Sequence, residues 1–138
     1  MKKAAFSLED IIFSRVLIES SKLPLNEISI EFIPSGVFKI QEKTFDLKLV
    51  FLAFGEENKE NNNFIELELL ANFEFYDVNK LEEIPEYFYT NAIAIVYPYI
   101  RAFLTSIVFQ ANLKRKILLP IMNLSDLGET LKVNISTI

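Results

Sequence analysis

The run from Tyr87 to Leu113, YFYTNAIAIVYPYIRAFLTSIVFQANL, decides how the rest of the chain is read. It holds no glycine and a single charge, Arg101. Its apolar residues include Ala92, Ile93, Ala94, Ile95, Val96, Tyr97, Ile100, Phe103, Leu104, Ile107, Val108 and Phe109. At 100° per residue they cover nearly the whole circumference of a helix. A helix lying on its own sheet needs only one apolar stripe. The pattern therefore predicts a long helix over about residues 86–113 whose second face something else must cover. Pro98 removes a main-chain hydrogen bond from its middle, at about 3 kcal/mol unless the bend is used, and predicts a bent helix. The run is also long enough for a membrane span. Arg101, however, falls near its centre, where an arginine costs roughly 2.5–3.5 kcal/mol in a bilayer. Burial against sheets or a partner helix is the better reading, without membrane insertion.

Upstream of this run the period is two. Phe45, Leu47, Leu49, Phe51 and Ala53 alternate with their neighbours, and Ile65, Leu67, Leu69, Ala71, Phe73 and Phe75 alternate with Glu66, Glu68, Asn72 and Glu74. The polar stretch Gly55–Asn63 between them predicts an antiparallel hairpin with a solvated tip. Ile28, Ile30 and Phe32 form a shorter run that Pro34-Ser35-Gly36 is expected to break, and Ile11 to Glu19 reads as a first strand. The expectation is an α+β fold: a four-stranded antiparallel Greek-key sheet over residues 6–76, then the long helix. Beyond the helix, Lys114-Arg115-Lys116 complements a helix C-terminus. An extended connector and a short helix over residues 117–133 follow, with Asn123 or Ser125 as cap and Leu124, Leu127 and Leu131 on the apolar side. Gly128 weakens that helix. The whole of residues 1–138 reads as a single domain.

Composition narrows the function. Hydrophobic residues make up 51% of 138, including 13 Phe, which is enough apolar material to serve an interface as well as a core. The net charge of −5 and isoelectric point near 4.8 would repel phosphate backbones, so nucleic acid is a poor partner. The chain has no Cys and no His, which removes thiolate nucleophiles, cysteine-bound zinc and the commonest general base. No catalytic residue, metal or cofactor is expected. Glu82-Glu83 shows no convergent partner for acid–base work. Glu9 and Asp10 interrupt the apolar start before a signal peptide can form, so a cytoplasmic protein is expected.

The segment Tyr89-Thr90-Asn91-Ala92-Ile93-Ala94-Ile95-Val96-Tyr97-Pro98-Tyr99-Ile100-Arg101, followed by Leu118-Leu119-Pro120-Ile121-Met122-Asn123-Leu124, resembles the SecB family of export chaperones. The order of elements is similar along nearly the whole chain. The resemblance implies a homotetramer, a dimer of dimers, with the long helices layered between eight-stranded sheets. It implies a cytoplasmic holdase for unfolded or precursor polypeptides, delivering them to a SecA-like motor docked on acidic sheet faces. In some relatives the client is instead an antitoxin, and the chain acts as a dedicated adaptor. On that basis Phe32, Val37, Phe38, Leu124, Leu127 and Leu131 are candidates for the client groove. Ile93, Val96, Tyr97, Ile100, Phe103, Leu104 and Ile107 are candidates for the oligomer interface, and Glu66, Glu68 and Glu74 for the acidic docking face.

Overall fold

A computed structural model of the chain describes residues 5–55, 62–117, 119 and 122–138. Most of the expected hairpin tip, and Leu118, Pro120 and Ile121 of the connector, lie outside the described residues. The elements are β1 (Phe6–Ile18), β2 (Ile28–Lys39), β3 (Thr44–Gly55), β4 (Asn63–Phe75), α1 (Glu86–Gln110), α2 (Leu124–Val133) and β5 (Ile135–Thr137). Single 3₁₀ turns at Ser20–Lys22 and Leu81–Glu83 lead into β2 and α1.

The sheet runs β1-β4-β3-β2-β5. Strands β2, β3 and β4 follow one another as antiparallel neighbours, and β1 returns to lie beside β4, the Greek-key order. The expectation of four antiparallel strands is corrected, because the sheet is five-stranded and mixed. Ile135, Ser136 and Thr137 pair in parallel with Gly36, Val37 and Phe38. Three residues carry no readable alternation, and what makes them a strand is the edge of β2 beside them.

Pro34 does not break β2 either. The N–H groups of Gly36 and Ile40 and the carbonyl of Phe38 all bond towards the β5 side. By alternation Pro34 also turns its nitrogen outward, away from β3, where a missing donor costs the ladder nothing. Gly36 is needed for a different reason. A Cβ there would lie 2.3 Å from the ring of Phe45, so the absence of a side chain lets that ring fold across the strand.

The inner face of the sheet carries the core. Phe45, Leu47, Leu49 and Phe51 of β3 and Leu67, Leu69 and Phe73 of β4 are fully buried. Helix α1 covers them. Its Phe88 sits among Phe6, Phe45, Phe73 and Phe75 at ring-centroid distances of 4.8, 5.0, 5.5 and 4.8 Å. The first three contacts are edge-to-face, an arrangement worth roughly 0.5–1.5 kcal/mol per pair beyond area burial. Farther along, Tyr97 meets Phe32 at 5.6 Å and Phe103 stacks on Phe13 at 4.1 Å.

Helix α1 continues through Pro98. Both Pro98 and Ala94, whose carbonyl loses its partner, are exposed, so water can take the missing bond. The helix stops at Gln110, three residues before the expected end. Asn112 adopts φ 55°, and the N–H groups of Asn112 and Leu113 return to the carbonyls of Phe109 and Val108. That is a Schellman closure with asparagine in the left-handed position. Helix α2 starts as expected at Asn123, whose Oδ1 accepts from the Ser125 N–H at 3.1 Å. Gly128 is where α2 crosses α1, since a Cβ there would lie 2.5 Å from Thr90 Oγ1 and 2.9 Å from Thr90 backbone.

Candidate functional site

Helix α1 has two faces with different chemistry. Toward the sheet it buries Phe88, Tyr89, Ala92, Ile93, Val96, Tyr97, Ile100 and Leu104. Of the candidates for an oligomer interface, Ile93, Val96, Tyr97, Ile100 and Leu104 are thus core side chains of their own subunit. A helix nearly all apolar gives no clue from sequence to which stripe its sheet will claim. Phe103 and Ile107 remain half-buried. The outward face presents Tyr87, Ala94, Pro98, Tyr99, Ala102 and Phe109 interleaved with Asn91, Thr105, Ser106 and Gln110, and beyond Glu86 in the first turn Arg101 is its only charge. Tyr87 is 54% exposed, Tyr99 47% and Phe109 85%. Over the best 18 residues its mean hydropathy is 1.7, long and apolar enough to cross a bilayer by composition, yet its inner stripe is held on the sheet.

A second surface lies where α2 and the connector meet β2. Phe32, Phe38, Leu127 and Leu131 of the groove candidates are buried there, whereas Val37 and Leu124 are half-buried. Ile28, Ile30, Ile117, Leu119 and Met122 are also half-buried against the core. With Leu124 they are the half-buried apolar side chains of this seam, where α2 packs on β2, while Leu127 and Leu131 are buried in the core. Val37 stands on the opposite sheet face, since its buried neighbours Gly36 and Phe38 point inward.

Sequence reading missed the clamp at one end of this seam. Arg115 Nη1 donates to the Pro24 carbonyl at 2.8 Å and to the Asn26 carbonyl, tying the β1–β2 connection to the end of α1. Its place in a basic triplet gave it the simpler reading of a charge near a helix end, and a bond spanning 91 positions leaves no local trace. At the tip of that connection Leu25 is 98% exposed.

The acidic docking face is not a concentration of free negative charge. Glu66 bonds to Arg15 at 3.1 Å and to Asn63 at 3.0 Å. Glu68 accepts from Ser14 at 2.9 Å and lies 3.6 Å from Lys48. Glu74, paired across from Ser7 and Thr44, stands exposed. Pairs as open as these add little stability, about 0–1 kcal/mol, but they do neutralise the face. Among the described residues no group of three or more Asp or Glu side chains converges as a cation site.

No protein-family model and no curated sequence matches the chain. Its structure is similar to that of the Mycobacterium tuberculosis Rv1957 SecB-like chaperone, solved in complex with a ChAD peptide from the Rv1956 HigA1 antitoxin. The two share 19% identity, a TM-score of 0.67, and 86% of this chain against 88% of that one. Sheet, long helix and short last helix therefore add up to one conclusion: the chain has the SecB-like fold.

Proposed function

We propose that the protein is a SecB-like holdase of the cytoplasm, binding unfolded or precursor polypeptides along apolar surface without catalytic chemistry. The observation that carries this reading is the outward face of α1. In a chain with a net charge of −5, a 25-residue helix turns out a face whose only charge beyond the first turn is Arg101. Surfaces of that kind are covered by another polypeptide. The seam at β2 adds half-buried apolar side chains beside a strand edge, which suits an extended segment held by side-chain burial and backbone pairing. The neighbouring fold was solved with a peptide bound, and that supports a polypeptide ligand here too.

Assembly belongs to the same proposal. Two surfaces need covering: the outer face of α1, and the open edge of β1, a 13-residue strand at the end of the sheet. A long edge tends to pair with another chain, although the irregularities at Leu8/Asp10 and Phe13/Arg15 limit that pairing to the regular stretches between them. Each surface can meet its own copy about a two-fold axis, and two independent two-folds build a dimer of dimers. Delivery to a SecA-like motor through Glu66 and Glu68 is disfavoured by their ion pairs, which leaves the motor contact outside the proposal.

The second reading is a dedicated adaptor for one partner such as an antitoxin, favoured by the antitoxin peptide on the structural neighbour. One pair of experiments separates the readings. Suppression of aggregation of unrelated slow-folding proteins at one tetramer per client is expected for the holdase. Failure there, with a single stoichiometric partner recovered from cells, replaces it with the adaptor.

A further inference from the structure

Past the end of α1 the chain lies against the body on one side only. Leu113, Arg115, Ile117 and Leu119 are half-buried, while Lys114 and Lys116 between them are exposed. Alternation at period two marks an extended segment with one face inward. The charge on that face, Arg115, is met by neutral groups, the carbonyls of Pro24 at 2.8 Å and of Asn26. Both belong to the connection that enters β2 at Ile28. Leu25 there is 98% exposed, and Asn26 and Glu27 are exposed too, so the fork of Arg115 takes the place of packing. From this clamp the chain leads to α2, which packs on β2. Asn134, just after α2, donates to the Pro34 carbonyl at 3.3 Å, and from Gly36 onward β5 takes that side of the strand. By alternation Ile28, Ile30 and Phe32 turn their N–H and C=O groups to the same side, upstream of β5. Among the described residues no strand pairs with them there.

We propose that residues 113–117 are a strap over the first half of the β2 edge, and that Arg115 is its latch. Closed, as here, the strap shelters Ile28 and Ile30, the part of the seam nearest the clamp. Released, it bares those side chains together with the unpaired backbone of β2. An extended segment can then enter by side-chain burial and strand addition. What enters rests on the polypeptide-binding reading above, whereas the closure itself does not. The chemistry of the latch suits opening. Its bonds go to carbonyls, so release strands no buried carboxylate, and the half-buried guanidinium has water close by. The strap also begins where Asn112, at φ 55°, ends the helix, so it can swing without unwinding α1.

The full chain has no Cys, so one introduced cysteine reports opening. Ile28→Cys probes the seam under the strap, and Ile135→Cys, half-buried in β5, is the reference at the other end of β2. Reaction with a thiol reagent is timed for each, with Arg115 intact or replaced. Arg115→Gln is expected to speed the reaction at position 28 about tenfold, as for one lost bond to a charged group. Position 135 should change less than about twofold, because local opening leaves the rest of the fold in place. Arg115→Lys keeps the charge but cannot fork to both carbonyls, and is expected to fall between. An apolar decapeptide followed by fluorescence anisotropy should bind Arg115→Gln about 3–10-fold more tightly, since closure no longer competes with it. Equal acceleration at both cysteines would mean that Arg115 supports the whole domain, and none at either that other contacts hold the strap. Both results overturn the latch. Faster reaction at position 28 with weaker peptide binding makes the strap a wall of the site and overturns it as a closure. If the cysteines respond as expected and neither apolar peptides nor unfolded clients bind, the closure stands and the holdase reading fails. Should Arg115→Gln not fold, Arg115→Lys carries the same comparison.

Discussion

Gly128 marks the point where the two helices touch most closely, and local propensity gave the wrong sense of it. In the sequence a glycine inside a ten-residue helix subtracts from helix stability. In the structure it is the residue that allows α2 to lie on the backbone of Thr90, because any Cβ would enter the contact. Gly128→Ala is therefore expected to destabilise despite alanine's better propensity, by about 1–3 kcal/mol as for other overpacked contacts. A fall in the thermal midpoint checks it, and a rise would show that the helices separate freely. Asn123 was legible for the opposite reason, since a cap acts within three residues of itself. Pro34 gives a milder case. Its nitrogen faces away from β3, so Pro34→Ala restores no ladder bond, and because the ring is buried the change is expected to cost about 1 kcal/mol of packing. Two tyrosines predict an alkaline limit. Burial raises the ionisation of both Tyr89 and Tyr97, with Glu86 adding at Tyr89 and Arg101 opposing at Tyr97. Above about pH 10, the ordinary phenol value, the unfolded chain gives up these protons before the folded one does. Stability is then lost as pH rises through that range and is untouched by these groups below it. Chemical denaturation of Tyr89→Phe against the parent, at neutral and alkaline pH, should show a shallower decline in the variant.

At the scale of elements, what was readable depended on whether an element is defined by its own residues or by its neighbours. Strands β3 and β4 could be read directly, because alternation at period two is written into them. Helix α1 was readable as a helix, but not the stripe its sheet would claim, and five interface candidates turned out to be core. Strand β5 has three residues and exists through the edge of β2, so no pattern announced it. The continuation of β2 past Pro34 likewise depended on which side of the strand faced a partner. The outward stripe of α1 carries its own prediction. Ala94 and Ala102 are exposed and touch no core, so glutamate at both positions should cost a lone subunit little, about 0.5 kcal/mol each. If copies pack on that stripe, the charges are buried unpaired and the assembly opens. The expected result is a particle of about half the parent's mass by light scattering, with helical content unchanged. An unaltered mass would mean that the outward stripe of α1 is not an interface, and the tetramer would need another route.

For the whole molecule the question is what the proposed assembly would add to binding. In the proposed holdase each subunit offers one apolar seam beside β2, and a site of that size would hold a short apolar segment weakly. Linking several such sites turns each further contact with a long unfolded client into an intramolecular event, and avidity then exceeds single-site affinity by about 10²–10⁴. This separates two quantities that a simple binding assay merges. In the Ala94→Glu, Ala102→Glu double variant, affinity per subunit for a short peptide is expected to remain within about twofold, because the seam is built from one chain. Affinity for a long unfolded client, read by suppression of its aggregation, is expected to fall at least tenfold, the lower side of what lost linkage removes. A different pattern would be informative. If peptide and client binding fall together, the binding surface is completed by a second copy across the α1 stripe, and the single-chain sites described here are only halves. If neither falls while the mass halves, assembly serves stability and the client is held by one subunit alone. The separation of short-peptide affinity from long-client affinity is therefore the measurement that ties the exposed helix face, with Arg101 as its charge, to the proposed work of the molecule.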